Sequence, residues 1–303
     1  MKLFLHIGAN KCGSTTLQHA LKANQSELKR LDVQQLAAWG GETAWKLAAA
    51  SGTLESRHYW TRTRNRLSPA AFEGLRGQLW ADLDMELANS SAKFVVASSE
   101  HIFAQYRADR AAISMLNEKL KERFHDVKII FYYREPVAWA KSLWSQRVKG
   151  PTKATETYDE FVDALAQEDH IIAADASLEC WSAVFGRENI YASAIDQGTR
   201  QRGSITRDFF ARLGLSSATI EKCAVETGRS NMSPSYSALK LVRIANVLEK
   251  NAHLPAGISK KVKQVALSRR LASYGADFPA HRDEEISNRY RINHRNLATK
   301  FMN

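Results

Sequence analysis

Cysteine is scarce in this sequence. The 303 residues include three cysteines, Cys12, Cys180 and Cys223, which lie far apart and show no metal-ligand spacing. An odd, scattered set of this kind is typical of free thiols in a reducing compartment rather than of a disulfide framework. The sequence therefore predicts no structural disulfide and no cysteine-held metal, and a chain of this length can bury a large core without either.

Long apolar runs are also lacking. The apolar stretch nearest the N-terminus covers only residues 3–7 and leads directly into Gly8. It is too short for the apolar region of a signal peptide or for a membrane span. We therefore expect a cytoplasmic protein with no stable membrane insertion.

Acidic residues are outnumbered by basic ones. There are 43 lysines and arginines against 32 aspartates and glutamates, which gives a formal net charge of +11. Such a charge favours anionic partners through its long-range field, without distinguishing nucleic acid, an acidic glycan and a nucleotide cosubstrate. No internal repeat, low-complexity tract or linker interrupts the sequence, which predicts a single domain over residues 1–303.

Short apolar runs alternate with helical patterns along the chain. The predicted strands are residues 2–8 (KLFLHIG), 93–98 (KFVVAS), 127–133 (VKIIFYY) and 189–195 (NIYASAI). Helical patterns follow Ser68-Pro69 and the capping box Thr157 to Glu160, and they recur near residues 113–120 and 241–248. Strands separated by helices predict a three-layer α/β/α fold with a central parallel sheet.

A glycine loop follows the first predicted strand and precedes a helical pattern. It reads HIGANKCGSTT over residues 6–16. Small residues allow successive backbone N–H groups to point inward, and the following helix directs its positive end at an anion. The hydroxyls of Ser14, Thr15 and Thr16 add further donors, so the sequence predicts a phosphate-binding loop.

The position of the lysine separates this loop from that of a nucleotide kinase or NTPase. Gly8 and Gly13 have the spacing of the G-x-x-x-x-G-K-[ST] loop, but Ser14 stands where that loop has its lysine. The loop's lysine is Lys11, two residues before the second glycine. This departure disfavours a kinase or NTPase, which remains the alternative enzyme class.

Two motifs in this sequence resemble those of the sulfotransferases that use 3′-phosphoadenosine 5′-phosphosulfate (PAPS). The segment KCGSTT is similar to their phosphosulfate loop, which usually reads K-[ST]-G-[ST]-[ST], and the chain resembles bacterial members of the family. The family also has an arginine at a later strand end with a serine eight residues on, and this chain has Arg134 and Ser142 directly after VKIIFYY. Pro136 starts a helix between them, so both side chains can converge on one phosphate beyond the strand ends.

The resemblance implies a fold of the P-loop nucleoside-kinase type, PAPS as donor, 3′-phosphoadenosine 5′-phosphate (PAP) as product, and no metal. Lys11 would stabilise the leaving group, while Arg134 and Ser142 would bind the 3′-phosphate. A later basic loop closes over that phosphate in many members, and residues 198–203, with Arg202, or residues 228–231 are the counterparts here, although neither matches the R-K-G form. The residues that would surround the 5′-phosphate are Cys12, Gly13, Ser14, Thr15 and Thr16, with Cys12 in a place usually held by serine or threonine.

Transfer also needs a base close to the acceptor. Glu100 and His101 follow the second predicted strand in the segment SSEHIF. Sulfotransferases resemble one another in using a glutamate or a histidine in this region. Adjacent residues of an extended segment point in opposite directions, so we expect only one of the two to face the acceptor. Similar S-S-E segments in bacterial members favour Glu100, and His101 is the alternative because its ordinary pKa suits a base near neutral pH.

The acceptor is not encoded in these motifs. Residues 57–66 combine basic and aromatic side chains that suit a sugar or an acidic substrate, although a solvated surface is the commoner role of such a segment. We expect a carbohydrate hydroxyl, or an amine, on a small molecule or glycan, and no nucleic-acid partner. A non-catalytic module that binds glycans or nucleic acid is the second alternative, and it leaves the spacing of Arg134 and Ser142 unexplained. The sequence does not reveal the oligomeric state.

Overall fold

The computed structural model describes most of the chain, and the helices and strands below lie in that part. The described residues are 1–44, 46–51, 68–106, 109–167, 172–195, 205–223, 234–251, 255–268 and 278–301. They divide into two compact units. The first unit comprises Met1–Arg134, Ala174–Gly228 and Asn293–Asn303, and the second comprises Glu135–Ala173 and Arg229–Ile292.

A five-stranded, all-parallel sheet forms the centre of the first unit. Its strands are β1 (Lys2–His6), β2 (Val33–Gln35), β3 (Phe94–Ser98), β4 (Asp126–Tyr133) and β5 (Ile190–Ala194). Their order in the sheet is β2-β3-β1-β4-β5, so β1 pairs with β3 on one side and β4 on the other. The α/β fold with a central parallel sheet is therefore confirmed, and helices flank the sheet.

The α-helices are numbered along the chain. The first six are α1 (Ser14–Ala23), α2 (Gln25–Arg30), α3 (Leu47–Ser51), α4 (Pro69–Ala88), α5 (Glu100–Tyr106) and α6 (Arg110–Lys121). The next five are α7 (Pro136–Lys149), α8 (Tyr158–Gln167), α9 (Ala174–Phe185), α10 (Ile205–Arg212) and α11 (Ser217–Cys223). The last three are α12 (Tyr236–Lys250), α13 (Ala256–Ala266) and α14 (Ala280–Phe301), and short 3₁₀ turns cover Gly41–Thr43 and Arg187–Asn189.

The sheet forms from apolar runs because both of its faces are covered. On one face Leu3 and Leu5 of β1 and Ile129 of β4 are 0% exposed, and on the other face Val96 of β3 and Ile130 of β4 are 0% and 1% exposed. Parallel strands that are buried on both faces read as continuous apolar segments rather than as alternating ones. For this reason four of the five strands were predictable, with ends within two residues of those observed.

The helix caps predicted from the sequence also form in the structure. The Ser68 hydroxyl accepts from the Ala71 N–H at 3.2 Å, with Pro69 as the first residue of α4. In the second unit, the Thr157 N–H donates to the Glu160 carboxylate at 2.7 Å, while the Glu160 N–H donates to the Thr157 hydroxyl at 3.2 Å. This reciprocal capping box stabilises the start of α8.

Candidate functional site

Three loops with polar side chains leave the sheet at the same edge. Because the strands are parallel, the segments after β1, β3 and β4 all emerge at their carboxyl ends. His6 of β1 lies level with Ser98 of β3, and the Ser99 N–H donates to the His6 carbonyl at 2.8 Å. This edge of the first unit therefore carries the glycine loop, with Glu100 following the strand on one side of it and Arg134 the strand on the other.

The glycine loop has left-handed backbone at two positions. The φ angles are 67° at Lys11 and 80° at Gly13, and the Cys12 N–H bonds the Ala9 carbonyl at 3.1 Å. Turns that bring residues into the left-handed region direct successive N–H groups into a concavity that accepts anions. Glycine is the residue that adopts this conformation without strain, whereas Lys11 adopts it at a cost.

The start of α1 has no side-chain cap. Gly13 is its N-cap and supplies no side-chain acceptor, and its first turn holds no acidic residue. Helix geometry leaves the N–H groups of Ser14, Thr15 and Thr16 without acceptors inside the helix. These N–H groups and the positive end of the helix dipole are thus available to an anion.

The side chains of the loop differ in how far they are exposed to solvent. Lys11, Thr15 and Thr16 are exposed, whereas Cys12 is 0% and Ser14 is 4% exposed. The Ser14 Oγ is buried without a hydrogen-bond partner among the described residues. Cys12 therefore belongs to the loop's apolar support, and Ser14 presents an unused hydroxyl at the start of α1.

Gly8 is closely packed by the side chains of two polar residues. A Cβ there would lie 2.8 Å from the His6 Nε2 and 2.8 Å from the Ser14 Oγ. Both contacts are shorter than real Cβ atoms tolerate, so His6 and Ser14 can pack this closely against the backbone of residue 8 because it has no Cβ.

His6 is a polar residue of this site whose role the sequence did not indicate. It is 0% exposed, and its Nδ1 lies 2.8 Å from the Ser98 Oγ. The Gln18 amide donates to the same Ser98 oxygen at 3.4 Å. Burial lowers the pKa of His6 to about 3, because the low-dielectric interior disfavours the imidazolium. The one sequence signal was an imidazole at the end of an otherwise apolar strand.

We expect His6 to make folding stability depend on pH. Its pKa is about 3 when folded and 6.5 when solvated, so between these values the unfolded state binds the extra proton. Stability should then fall as pH drops through this window, by roughly 4–5 kcal/mol over its whole width. Urea unfolding between pH 4.5 and 6 checks this, with His6→Gln predicted to lose close to one proton of pH dependence. An unchanged slope in His6→Gln would contradict the burial argument.

Glu100 and His101 occupy a different backbone conformation from the one predicted. Helix α5 begins at Glu100, so the two side chains are separated by the helical turn of about 100° rather than pointing in opposite directions. Both residues are half-buried. The expectation of an extended segment was wrong because the strand ends at Ser98 and the chain turns into a helix after one residue.

Arg134 directly follows β4 and is half-buried. Its Nε is buried with no partner among the described residues. A buried guanidinium nitrogen without a partner costs stability unless an acceptor completes it. Arg134 therefore fits a place for an anion beside the loop within the first unit.

Ser142 lies in the second unit. It is half-buried and lies two turns into α7, which begins at Pro136 as predicted. The Glu135 carboxylate caps this helix by accepting from the N–H groups of Val137 at 3.1 Å and Ala138 at 3.0 Å. The structure thus confirms the strand-then-helix context of the second motif.

Three predicted elements fall outside the described residues. They are Arg202 with residues 198–203, the alternative loop 228–231, and the basic-aromatic segment 57–66. Within the described part of the chain, no group of three or more histidine, cysteine, aspartate or glutamate side chains is placed to hold a metal ion. In the same part, no helix is both long and apolar enough to cross a membrane.

Comparison with known proteins gives matches among solved structures. No protein-family model and no curated protein matches the chain. A sulfotransferase from Alicyclobacillus acidocaldarius is 18% identical, with a TM-score of 0.44, over 85% of this chain and 98% of that one. The sulfotransferase domain from the curacin biosynthetic pathway is 13% identical, with a TM-score of 0.41, over 95% and 96% of the two chains. Retinol dehydratase in complex with androsterone and the inactive cofactor PAP is 12% identical, with a TM-score of 0.35, over 100% and 82%.

Sulfotransferases are thus among the solved structures that this chain matches.

Proposed function

We propose that this protein is a sulfotransferase that moves a sulfuryl group from PAPS to an acceptor hydroxyl or amine. The observation that carries the proposal is the loop after β1. It combines a helix start without a side-chain cap, a buried Ser14 hydroxyl that has no partner in the described part of the chain, and a lysine at position 11 instead of position 14. An anion-binding loop with its lysine in this position suits a phosphosulfate better than the terminal phosphates of ATP.

The donor set fits a nucleotide that carries two separated anionic groups. The loop offers backbone and hydroxyl donors at Ser14, Thr15 and Thr16 for a 5′-phosphate, and the half-buried Arg134 offers a guanidinium for a 3′-phosphate. The assignment of Ser142 to the same 3′-phosphate rests on its spacing from Arg134 in the sequence. Arg202 is proposed as a further contact on sequence grounds alone.

The chemistry requires charge stabilisation and one proton transfer. Bound PAPS supplies the sulfuryl group. The exposed ammonium of Lys11, held in left-handed backbone at the edge of the loop, is proposed to neutralise charge on the departing phosphate. Glu100 is proposed to take the acceptor's proton, with His101 as the alternative, because they are the first two residues of α5, which starts after a single residue beyond β3.

We propose a carbohydrate or glycoconjugate hydroxyl as acceptor in a cytoplasmic protein. The net charge of +11 and the basic-aromatic segment support a sugar or acidic acceptor. A screen of sulfate transfer to glycans, amines, phenols and lipids tests this, and a strict preference for phenols would contradict it.

A thermal-shift titration tests the donor class. Ligand binding raises the melting temperature by mass action, so the midpoint should rise with PAP and remain almost unchanged with equal concentrations of ADP or Mg-ATP. A larger shift with Mg-ATP would favour the kinase alternative. If none of the three nucleotides shifts the midpoint while a sulfated glycan does, the protein is a binding module.

A further inference from the structure

Two helices of the second unit, α12 and α13, carry six exposed aliphatic side chains. Each of them is between 37% and 59% exposed. The six are Leu241, Ile244 and Leu248 of α12 and Ile258, Val262 and Val265 of α13. Their spacings of three and four residues place each set of three on one side of its helix. Single exposed apolar residues are ordinary on a protein surface, whereas larger exposed apolar patches mark interaction sites.

The two sets lie on the same side of the helix pair. The Glu249 carboxylate of α12 accepts from the Ser259 hydroxyl at 2.7 Å and from the Lys263 ammonium at 2.6 Å, and the five residues between these helices make them antiparallel neighbours. In both helices an exposed aliphatic residue directly precedes a residue of this contact, as Leu248 precedes Glu249 and Val262 precedes Lys263. Each set is therefore turned from the contact by the same step of about 100°. In antiparallel helices equal turns point to one side, so the six side chains form one surface, the aliphatic face.

Lysines border the aliphatic face. Lys240 lies one turn before Ile244 on α12, and Lys261 lies one turn before Val265 on α13. Residues one turn apart are neighbours on a helix surface, and both lysines are exposed. Neither forms an ion pair with another residue of the described part of the chain. The face is thus aliphatic in the middle and positive at its edges.

Acidic residues are scarce in this part of the chain. Residues 236–268 contain six lysines and arginines but one acidic residue, Glu249. The Glu249 carboxylate pairs with Lys153 and with Lys263, so it adds no unbalanced negative charge to the face. A positive surface of this kind attracts the negative headgroups of an anionic membrane.

We propose that the aliphatic face docks on the surface of an anionic phospholipid membrane. The aliphatic side chains enter the boundary between headgroups and acyl chains, while Lys240 and Lys261 extend to the lipid phosphates. A second copy of this chain is a poorer partner, because two such faces would bring like charges together. A protein partner is also less suited, because the six side chains include none of the aromatic anchors that enrich protein interfaces. This inference does not depend on the proposed sulfuryl transfer.

Vesicle sedimentation of the whole protein tests the docking. We expect binding to phosphatidylcholine vesicles with about 30% phosphatidylglycerol, none to phosphatidylcholine alone, and release by high salt, which screens the attraction. Ile244→Gln with Val262→Gln should lower the partition coefficient about tenfold or more, because less apolar surface leaves water. Lys240→Gln with Lys261→Gln should lower it about 25-fold, since each lysine near an anionic surface contributes about fivefold.

Matched control variants lie on other helices. Met85→Gln replaces an apolar side chain that is 58% exposed on α4, and Lys29→Gln with Lys121→Gln removes two exposed lysines from α2 and α6. These variants should bind anionic vesicles almost as the unmodified protein does. Because every substituted side chain is exposed, all variants should melt close to the unmodified protein.

Three results would overturn the proposal. They are equal binding to neutral and anionic vesicles, anionic binding that persists in either double variant of the face, and no vesicle binding at all. In the last case, sedimentation velocity would assign the face to a second copy if the protein is a dimer that Ile244→Gln with Val262→Gln dissociates. Binding of an amphipathic peptide of leucine and glutamate, lost in the same variant, would assign it to an acidic protein segment. Nucleotide binding at the glycine loop enters none of these measurements, so the proposed function is judged separately.

Discussion

Replacing Lys11 by alanine should lower the rate of sulfuryl transfer by about 100- to 1,000-fold, the usual effect of removing one donor that stabilises charge in a transition state. The loss should appear in kcat more than in the affinity for PAP, because Lys11 is proposed to act on the departing oxygen. The substitution keeps a Cβ in the left-handed backbone at this position, where φ is 67°. Folding stability should therefore change little, and steady-state kinetics beside a melting curve measure both quantities.

Two companion variants show whether charge or geometry is responsible. Lys11→Arg keeps the positive charge and should retain more activity than the alanine variant. Lys29→Ala removes an exposed lysine on α2, outside the loop, and should leave kcat unchanged. Full activity in Lys11→Ala would rule out the proposed role of this lysine, whatever the nucleotide bound.

Replacing Arg134 by alanine should abolish most of the preference for a nucleotide with a 3′-phosphate. PAP and AMP differ only in that phosphate, so the ratio of their dissociation constants isolates its contribution. Truncating one partner of a buried charge pair costs roughly 2–5 kcal/mol, and we expect the ratio to fall by about 100-fold. AMP affinity should remain close to that of the unmodified protein, and isothermal titration with the two nucleotides provides the measurement.

Arg134→Lys separates charge from shape at the same position. Lysine keeps the charge but loses the planar fork that binds two phosphate oxygens at once, so it should recover only part of the PAP preference. Equal losses of PAP and AMP affinity in Arg134→Ala would indicate that the arginine supports the loop instead of binding the 3′-phosphate. That result would transfer the 3′-phosphate site to other residues of the chain.

The sequence predicted the sheet and the loop because each is dictated locally. β1, β3, β4 and β5 are almost uninterrupted apolar runs, and the turn after β1 needs glycines at fixed places. β2 was not predicted because it has only three residues, two of them glutamines, and lies at the edge of the sheet. Its place is fixed by pairing with β3, which the sequence of β2 alone does not encode.

Side-chain environments were less predictable than backbone elements. The pattern that predicted α12 included Leu241, Ile244 and Leu248, which are 48%, 43% and 37% exposed. The helix instead buries a neighbouring face with Leu239 and Val242, so the periodicity identified the helix without identifying its packed side. The single domain expected over residues 1–303 remains a prediction, and the described residues form two compact units.

In the candidate site, too, some residues were predictable from local sequence motifs and others depended on the tertiary structure. Lys11, Ser14 and Arg134 were predictable because they belong to two spaced motifs that follow strands. The helical start at Glu100 was not, since it depends on how the chain leaves β3. The burial of His6 depends on aromatic neighbours, with the Tyr132 ring centroid at 5.7 Å and that of Phe209 at 6.3 Å. Phe209 lies about 200 residues away in sequence, beyond the reach of local patterns.

β1 lies between β3 and β4 in the sheet but precedes both in the sequence, so it is synthesised long before either of its partners. Lys2 pairs with Phe94 and with Asp126, so neither pairing can form until the ribosome has released the chain well beyond those positions. Closing such long loops slows folding and keeps apolar segments exposed meanwhile. The glycine loop is anchored to β1, so binding competence should arise late in folding, together with the central sheet. A nascent chain truncated before β4 would contain the whole KCGSTT motif yet lack the paired strand that holds it in place.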